Sequence, residues 1–339
     1  MTTSLTANHP ALTANHPALT AIGDYSAADN PSSFLAVSEG NSYFHLPNRP
    51  GLIVYRRTGR FLVQFGGPFA PAESYRELLD AFRSMAREQQ LTLVSVQLQR
   101  FDARVYADDG FTVNQIGASW ARSLPTFSLA GTRFMQLRNK ISRAQRAGLD
   151  VVEVHDDMVF PRLREIDRVW LHDKGEGTRQ LEYLVGQYGD RMQPHRRMFV
   201  GLIDGEPVGY ISYSPVFGTR PGWMHDLSRR VPSRLPGIME AINVTAIETF
   251  RTEDVAWLHF GFTPFSGLHD DYEMPGYDAG FRHFMDLLWA HGEAVYPAQS
   301  QLAYKQKWAP DLLLPEYVAF DGGASVAGFA HIFRASNAF

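Results

Sequence analysis

The chain has 339 residues, 45% of them hydrophobic and 20% charged, which predicts one or two globular domains. Its formal net charge of −4 at pH 7 excludes a chain-wide positive field that would attract nucleic acid or membranes. It has no cysteine, which excludes disulfides, thiolate catalysis and cysteine-ligated zinc and is typical of a reducing compartment. No apolar run reaches the roughly 18 residues that cross a bilayer and no signal-peptide pattern opens the chain, so we expect a cytoplasmic protein without stable membrane insertion.

The N-terminus carries a short internal repeat. Residues 5–11 recur unchanged as residues 12–18, with a proline in each copy and few side chains large enough to bury. Short-period repeats of this composition are typical of segments without a packed core. We therefore expect a flexible tail over residues 1–33.

Strand and helix patterns alternate over residues 34–132, which predicts a first α/β unit. Apolar residues recur at helical spacing over Ala72–Gln89. The remaining segments alternate or form short apolar runs bounded by turn residues. The predicted strands are Gly51–Arg56, Gly59–Phe65, Leu91–Leu98 and Ile116–Leu124.

A basic helix is predicted within residues 133–150. Phe134, Leu137, Ile141 and Ala144 share one side of this helix, and its basic side chains gather largely on the other. A solvated linker helix and a surface that follows RNA phosphates both fit this pattern. The basic side chains are Arg133, Arg138, Lys140, Arg143 and Arg146.

A second α/β unit is expected from residue 151 onward. It begins with a strand at Val151–Val154 and a helix at Phe160–His172 with its apolar side inward. An Asp-Gly turn at residues 204–205 joins two strand patterns, Arg197–Ile203 and Pro207–Pro215, and so predicts a hairpin. The later elements are a helix at Tyr277–His291 and a closing segment over Tyr304–Phe320.

The most informative stretch is Gly222–Gly267. It reads as a strand around Trp223–Leu227, a proline-rich turn, a helix and a second strand. Free backbone N–H groups at a helix start attract anions, and arginine binds phosphate through two parallel hydrogen bonds. The turn therefore predicts an anion site lined by Arg229, Arg230 and Arg234, with the Asp226 carboxylate at its mouth.

Other candidates lie outside this turn. Lys305 and Lys307 are predicted two residues apart on an extended segment, next to Tyr304, and Lys174 with Glu176 fits a loop that closes over the site. Each candidate has a structural alternative: Asp226 could form only a surface ion pair with Arg229, the lysines could be solvated, and Ser266 could bond only to its own turn. The clusters at His155–Asp157 and His269–Asp271 are expected to be capped turns, since adjacent ligands on one short loop rarely converge on an ion. No metal site is predicted.

Several separated motifs resemble the C-terminal catalytic domain of the aminoacyl-phosphatidylglycerol synthases, in one order over roughly residues 34–320. The resemblance implies two tandem GNAT-like (acyl-CoA N-acyltransferase-like) domains, residues 34–132 and 151–339, joined by the basic helix of residues 133–150, with catalysis in the second. The motifs are Gly66-Gly67-Pro68, Phe127-Ser128-Leu129 with Gly131, Leu137–Lys140, Trp170 with Lys174 and Glu176, Asp226–Arg229, Pro236-Gly237 with Met239-Glu240, Gly261–Gly267 and Tyr304–Trp308 with Pro310.

The same resemblance implies roles for individual residues. Asp226 and Arg229 match the Asp-x-x-Arg active-site pair of the family, and Lys305 and Lys307 match its C-terminal basic pair. Asp226 is expected to orient or deprotonate the nucleophile, Arg229 and Lys305 to balance charge, and Tyr304 to donate a proton. The residues expected to bind substrate or tRNA are Arg230, Arg234, Lys307, Lys140, Arg143, Lys174, Glu176 and Ser266.

The expected reaction is transfer of an amino acid such as serine from aminoacyl-tRNA to a small amine, hydroxylamine or hydroxyl acceptor. This follows the stand-alone relatives in natural-product (antibiotic) biosynthesis, such as the seryl-tRNA-dependent transferase of valanimycin assembly. Aminoacyl-tRNA would be a co-substrate, and no cofactor is expected. The alternatives are a peripheral enzyme that uses phosphatidylglycerol or another lipid, a coenzyme A-dependent N-acyltransferase, and a non-catalytic RNA-binding module.

Overall fold

A computed structural model describes residues 16–25, 29–175, 179–294 and 296–338. In these ranges nine α-helices pack on one mixed sheet of eleven strands. The strands are β1 (Ser42–Phe44), β2 (Leu52–Thr58), β3 (Phe61–Phe69), β4 (Thr92–Leu98), β5 (Thr112–Ser123), β6 (Asp150–Val154), β7 (Arg197–Ile203), β8 (Glu206–Val216), β9 (Gly222–Arg230), β10 (Trp257–Pro264) and β11 (Leu312–Phe320). The helices are α1 (Pro17–Asp24), α2 (Ala72–Glu88), α3 (Arg100–Asp108), α4 (Met135–Arg146), α5 (Phe160–Lys174), α6 (Ile238–Thr252), α7 (Ala279–His291), α8 (Ala298–Gln306) and α9 (Val326–Ala335).

The sheet is continuous and its strand order is β1-β2-β3-β4-β11-β5-β10-β9-β8-β7-β6. Each half contains one parallel pair joined through a helix, β3–α2–β4 in the first half and β9–α6–β10 in the second. The last strand of each half pairs with the other half: β5 lies beside β10, and β11 lies between β4 and β5. The predicted mixed α/β fold is confirmed, whereas two domains separated by a linker helix are not, because exchanged strands join the halves.

The N-terminal segment is part of the folded core, which corrects the expected flexible tail of residues 1–33 for the part that is described. The α1 helix buries Ala18, Leu19 and Ile22, and a 3-10 turn at Ser33–Val37 is buried throughout. These side chains cover apolar surface on β2, β3 and the neighbouring strands. Burial of this area stabilises the fold and compensates for the low intrinsic stability of so short a helix.

The basic helix has the predicted amphipathic pattern. Phe134, Leu137, Ile141 and Ala144 are buried, and Arg143 is exposed. The buried side packs against α6, so α4 is a structural layer over the second half of the sheet. The turn before α6 touches α4 directly: a Cβ added at Gly237 would lie 2.1 Å from the Lys140 carbonyl oxygen.

Local differences from the predicted elements have simple causes. The predicted arginine turn is shorter than expected, because β9 extends to Arg230 and only Arg234 lies in the turn itself. Lys305 lies inside α8 and Lys307 caps its end, so the extended segment predicted for them is wrong. The sequence reading also missed α3. Among the described residues, no helix combines the length and the apolar character needed to cross a bilayer.

Candidate active site

A β-bulge in β9 brings the Asp226 and Arg229 side chains to the same side of the sheet. Ser212 pairs with Leu227 and Tyr213 pairs with His225, so Asp226 is an extra residue without a partner in β8. Side chains of a regular strand alternate between faces, and residues three apart would point in opposite directions. The extra residue reverses this alternation.

The contacts of β9 confirm the effect of the bulge. His225 contacts Tyr213 and Tyr304 on the side covered by α6. Leu227 packs with residues of α5, and Arg229 lies over the Trp170 ring of the same helix. We call this opposite side, covered by α5 and residues 179–196, the α5 face.

The Asp226 carboxylate is enclosed on the α5 face. The residue as a whole is partly exposed, but its Oδ2 atom is sealed from solvent and has no hydrogen-bond partner among the described residues. A Cβ added at Gly186 would lie 2.3 Å from either carboxylate oxygen, so the backbone there lies directly over Asp226. Burial raises the pKa of Asp226 to about 6, and the Arg196 guanidinium opposes that rise. A carboxylate with this pKa can accept a proton near neutral pH.

Arg229 and Lys174 meet at one aromatic ring. The Arg229 guanidinium carbon lies 3.9 Å from the centre of the Trp170 ring, and the Lys174 ammonium lies 5.3 Å from it. Cation–π attraction holds both side chains in place. Burial lowers the pKa of Arg229, and the nearby Tyr210 and Asp167 oppose this change. The structure therefore places two cations on the same face as Asp226.

A network of hydroxyl groups surrounds the buried Asp167 carboxylate beneath Arg229. Tyr188 donates a hydrogen bond to Asp167 at 2.5 Å, and Tyr210 donates to the other carboxylate oxygen. Burial raises the pKa of both tyrosines, so both remain protonated donors. This network fixes α5 to β8 and so fixes the Trp170 platform.

Lys305 belongs to a different environment. Its ammonium donates to the carbonyl oxygens of Gly261 and Phe262 at 2.8 and 2.9 Å. The pairing of β9 with β10 ends at Met224 and His259, just before these carbonyls. Lys305 thus binds β10 where the two parallel strands separate, and no described contact joins it to Asp226 or Arg229. Burial lowers its pKa to about 7.

Tyr304 and Lys307 form a group with Glu240 at the start of α6. Lys307 makes an ion pair with Glu240 at 2.9 Å, and its ammonium lies 5.2 Å from the centre of the Tyr304 ring. The Tyr304 hydroxyl lies 3.5 Å from the Met239 carbonyl oxygen, and burial raises the pKa of Tyr304. Glu240 therefore occupies the positive end of α6 with its own carboxylate.

The predicted phosphate-binding side chains lie on a surface formed by α4 and the turn between β9 and α6. Arg143 and Arg234 are exposed, and Lys140 is partly exposed. Arg230 donates weakly to the carbonyls of Val231 and Ser233, at 3.3 and 3.4 Å. Because Gly237 contacts the Lys140 backbone, the turn that carries Arg234 lies against the helix that carries Lys140 and Arg143; we call these side chains and Arg230 the basic surface.

The other predicted residues stand apart from this arrangement. Ser266 is buried and donates to the carbonyl of Thr263, which is the local turn contact named as its alternative. Glu176 lies outside the described residues. Asp156 and His269 each accept a hydrogen bond from a backbone N–H two residues later, as expected for capped turns. In the part of the chain that is described, no three acidic or histidine side chains are grouped to hold a metal ion.

Sequence reasoning missed three residues that shape the α5 face. Asp167 left a weak signal, because it is an acidic residue beside Ile166 on the inward side of an amphipathic helix. Arg196 and Gly186 left none, since their positions depend on how residues 179–196 fold over β9.

Comparison with known proteins agrees with the resemblance seen in the motifs. Residues 20–320 match the family described as phosphatidylglycerol lysyltransferase, C-terminal. A lysylphosphatidylglycerol biosynthesis bifunctional protein from Rhodococcus opacus is 24% identical over 89% of this chain, and a phosphatidylglycerol lysyltransferase from Bacillus subtilis is 22% identical over 86%. The chain spans only 27% and 35% of the length of these two relatives.

Solved structures show the same fold. The structure of L-PGS from Bacillus licheniformis superposes with a TM-score of 0.76 at 18% identity, covering 95% of each chain. A C-terminal domain from Agrobacterium fabrum gives 0.74 at 21% identity and covers 93% of this chain and 94% of its own. With most of its length matched, the chain belongs to the phosphatidylglycerol lysyltransferase C-terminal family.

Proposed function

We propose that this chain transfers an aminoacyl group from aminoacyl-tRNA to a hydroxyl group of phosphatidylglycerol or a closely related lipid. The observation that carries the proposal is the bulge in β9, which places the Asp226 and Arg229 side chains on the same face of the sheet. The names of the relatives favour a lipid acceptor over the small amine expected from the sequence. Lipid would be reached by contact with the membrane surface.

The reaction needs positioning and proton transfer more than activation, because the ester that joins an amino acid to tRNA is already reactive. The acceptor hydroxyl attacks the ester carbonyl, and Asp226 takes the hydroxyl proton. The C–O bond to the terminal ribose then breaks, and the protonated Asp226 returns the proton to the leaving ribose oxygen. Aminoacyl-tRNA is the co-substrate, and this scheme uses no separate cofactor.

Arg229 is proposed to stabilise the negative charge that develops on the carbonyl oxygen. A buried guanidinium held over Trp170 needs little reorganisation during the reaction, which is the condition for effective electrostatic stabilisation. Lys174 would add a second positive charge from the same platform. The contacts of Lys305 and Tyr304 support a structural role at β10 and α6 instead of contact with the substrate.

The basic surface is proposed to hold tRNA phosphates. Lys140 and Arg143 lie on α4, Arg230 ends β9 and Arg234 lies in the turn that follows. Salt-dependent phosphate contacts supply much of the affinity of proteins for nucleic acid. A coenzyme A donor is less well supported. Glu240 and Lys307 fill the start of α6, the position where a diphosphate would need free N–H groups.

The test is to incubate the full chain with each radiolabelled aminoacyl-tRNA, together with phosphatidylglycerol vesicles or a panel of small amines. We expect ribonuclease-sensitive transfer of label to lipid, and loss of transfer in Asp226→Asn with tRNA affinity changed less than about threefold. The exposed variant Glu206→Gln is the matched control. Transfer only to small amines would replace the lipid acceptor, and label from acetyl-coenzyme A alone would refute the proposal.

A further inference from the structure

A buried arginine on the α5 face has no role in the proposed reaction, although its environment is unusual. The Arg196 side chain is only 1% exposed and forms an ion pair with Asp190 at 2.6 Å, whose side chain is 6% exposed. Its guanidinium carbon lies 5.1 Å from the centre of the Phe34 ring, in the N-terminal segment. A buried ion pair recovers its desolvation cost only when its geometry and remaining hydrogen bonds are good.

One hydrogen-bond donor of this arginine is unused. Both terminal nitrogens of Arg196 donate to Asp190, but Nε is buried without a partner among the described residues. Asp226 Oδ2 and the Ser214 hydroxyl are buried nearby, and Ser214 lies close enough to the carboxylate to lower its pKa. A buried donor without a partner calls for an explanation, which makes Arg196 a candidate for a role beyond packing.

The strand register brings these atoms to the same face. Arg197 pairs with Tyr213, and Tyr213 pairs with His225, so Arg196, Ser214 and Met224 follow one another across three strands. Adjacent strands lie about 4.8 Å apart, and two such steps are within the reach of an arginine side chain and an aspartate side chain together. Asp226, the bulged residue, lies next to this row.

We propose that Arg196 is a positioning residue for Asp226, held by Asp190 and Phe34 so that its charge favours the ionised carboxylate on the α5 face. The charged groups that act on Asp226 here are Arg196 and Asp190, with Ser214 and the Gly186 backbone as polar neighbours. Arg196 favours the ionised carboxylate, and Asp190 disfavours it. The inference rests on the proposed function for its kinetic test only.

The kinetic test is the pH profile of kcat/KM. Arg196→Met should raise the apparent pKa on the acidic side of this profile by about one unit. At pH values below that pKa, kcat/KM should then fall about tenfold. Arg196→Lys keeps the positive charge and should show little of this shift. Asp190→Asn should lower the same apparent pKa. Arg168→Met, at an exposed arginine of α5, is the matched control. A uniform loss of kcat without a shift of this apparent pKa would overturn the proposal.

A second test does not depend on activity. The loss in Tm caused by Arg196→Met should be larger at about pH 8 than at about pH 5, because Asp226 is ionised only at the higher pH. In chains that also carry Asp226→Asn, the difference between the two pH values should be smaller, because only the unpaired Asp190 carboxylate then contributes to it; an equal difference in both chains would overturn the proposal. If the loss does not depend on pH in the Asp226 chain, Arg196 has only a packing role. If the loss in Tm depends on pH as expected but no aminoacyl transfer is found, the proposed function is wrong and the interaction of Arg196 with Asp226 is still supported.

Discussion

Replacement of Asp226 by asparagine should stabilise the protein while abolishing its activity. Burial raises the pKa of Asp226 from 3.8 to about 6. The folded state therefore holds the proton more tightly than the unfolded chain, and stability falls as pH rises from about 4 to about 6. A rise of about 2 pKa units corresponds to about 3 kcal/mol, and the partial exposure of the residue reduces our expectation to about 1–2 kcal/mol.

The assay is chemical denaturation of both proteins at about pH 4 and about pH 8, with aminoacyl transfer measured on the same samples. Asp226→Asn should increase the free energy of unfolding at the higher pH and leave it nearly unchanged at the lower pH. Glu206→Gln, which changes an exposed carboxylate, should have no such effect. A variant that is less stable at both pH values, or equally stabilised at both, would refute the reasoning from burial.

Three further predictions follow from particular contacts. Gly186→Ala adds a Cβ only 2.3 Å from the Asp226 carboxylate oxygens. We expect it to lower the free energy of unfolding by about 1–3 kcal/mol and kcat/KM by at least about tenfold. Unchanged kinetics would show that residues 179–196 do not enclose Asp226. Lys305→Met removes the ammonium that donates to the carbonyls of Gly261 and Phe262 and should lower the free energy of unfolding by about 1–3 kcal/mol. If denaturation shows no loss, these bonds do not hold α8 to β10. Arg143→Ala should weaken tRNA binding and reduce, by about 1, the slope of the logarithm of affinity against the logarithm of salt concentration. It should not change kcat at saturating tRNA. A change in kcat alone would contradict a phosphate contact.

Local patterns in the sequence were sufficient where an element is specified by its own residues. The hairpin of β7 and β8 turns at Asp204 and Gly205 because both residues adopt positive φ, as the Asp-Gly pair predicts. The apolar side of α4 was also predicted correctly, since Leu137, Ile141 and Ala144 follow helical spacing. In such cases the periodicity of burial is visible in the sequence itself.

The pair proposed for the active site, Asp226 and Arg229, depends on more than local sequence. The sequence named Asp226 and Arg229, but on a regular strand they would lie on opposite faces. The bulge that puts them on one face arises where β9 pairs with Ser212 and Tyr213 of β8. That register is set by contacts between two strands and not by the sequence of β9 alone. The lysines at 305 and 307 were assigned to one side of an extended segment, whereas α8 directs one to β10 and the other to Glu240.

The sequence by itself determined the family and most of the regular elements and supplied the candidate side chains, because those depend on residue type and short-range spacing. Tertiary structure alone decided that β11 inserts between β4 and β5 and that residues 33–37 support Arg196. It also decided that Gly186 encloses Asp226. These features depend on pairing and burial between residues far apart in the chain, and the free energy that selects them is absent from any single segment.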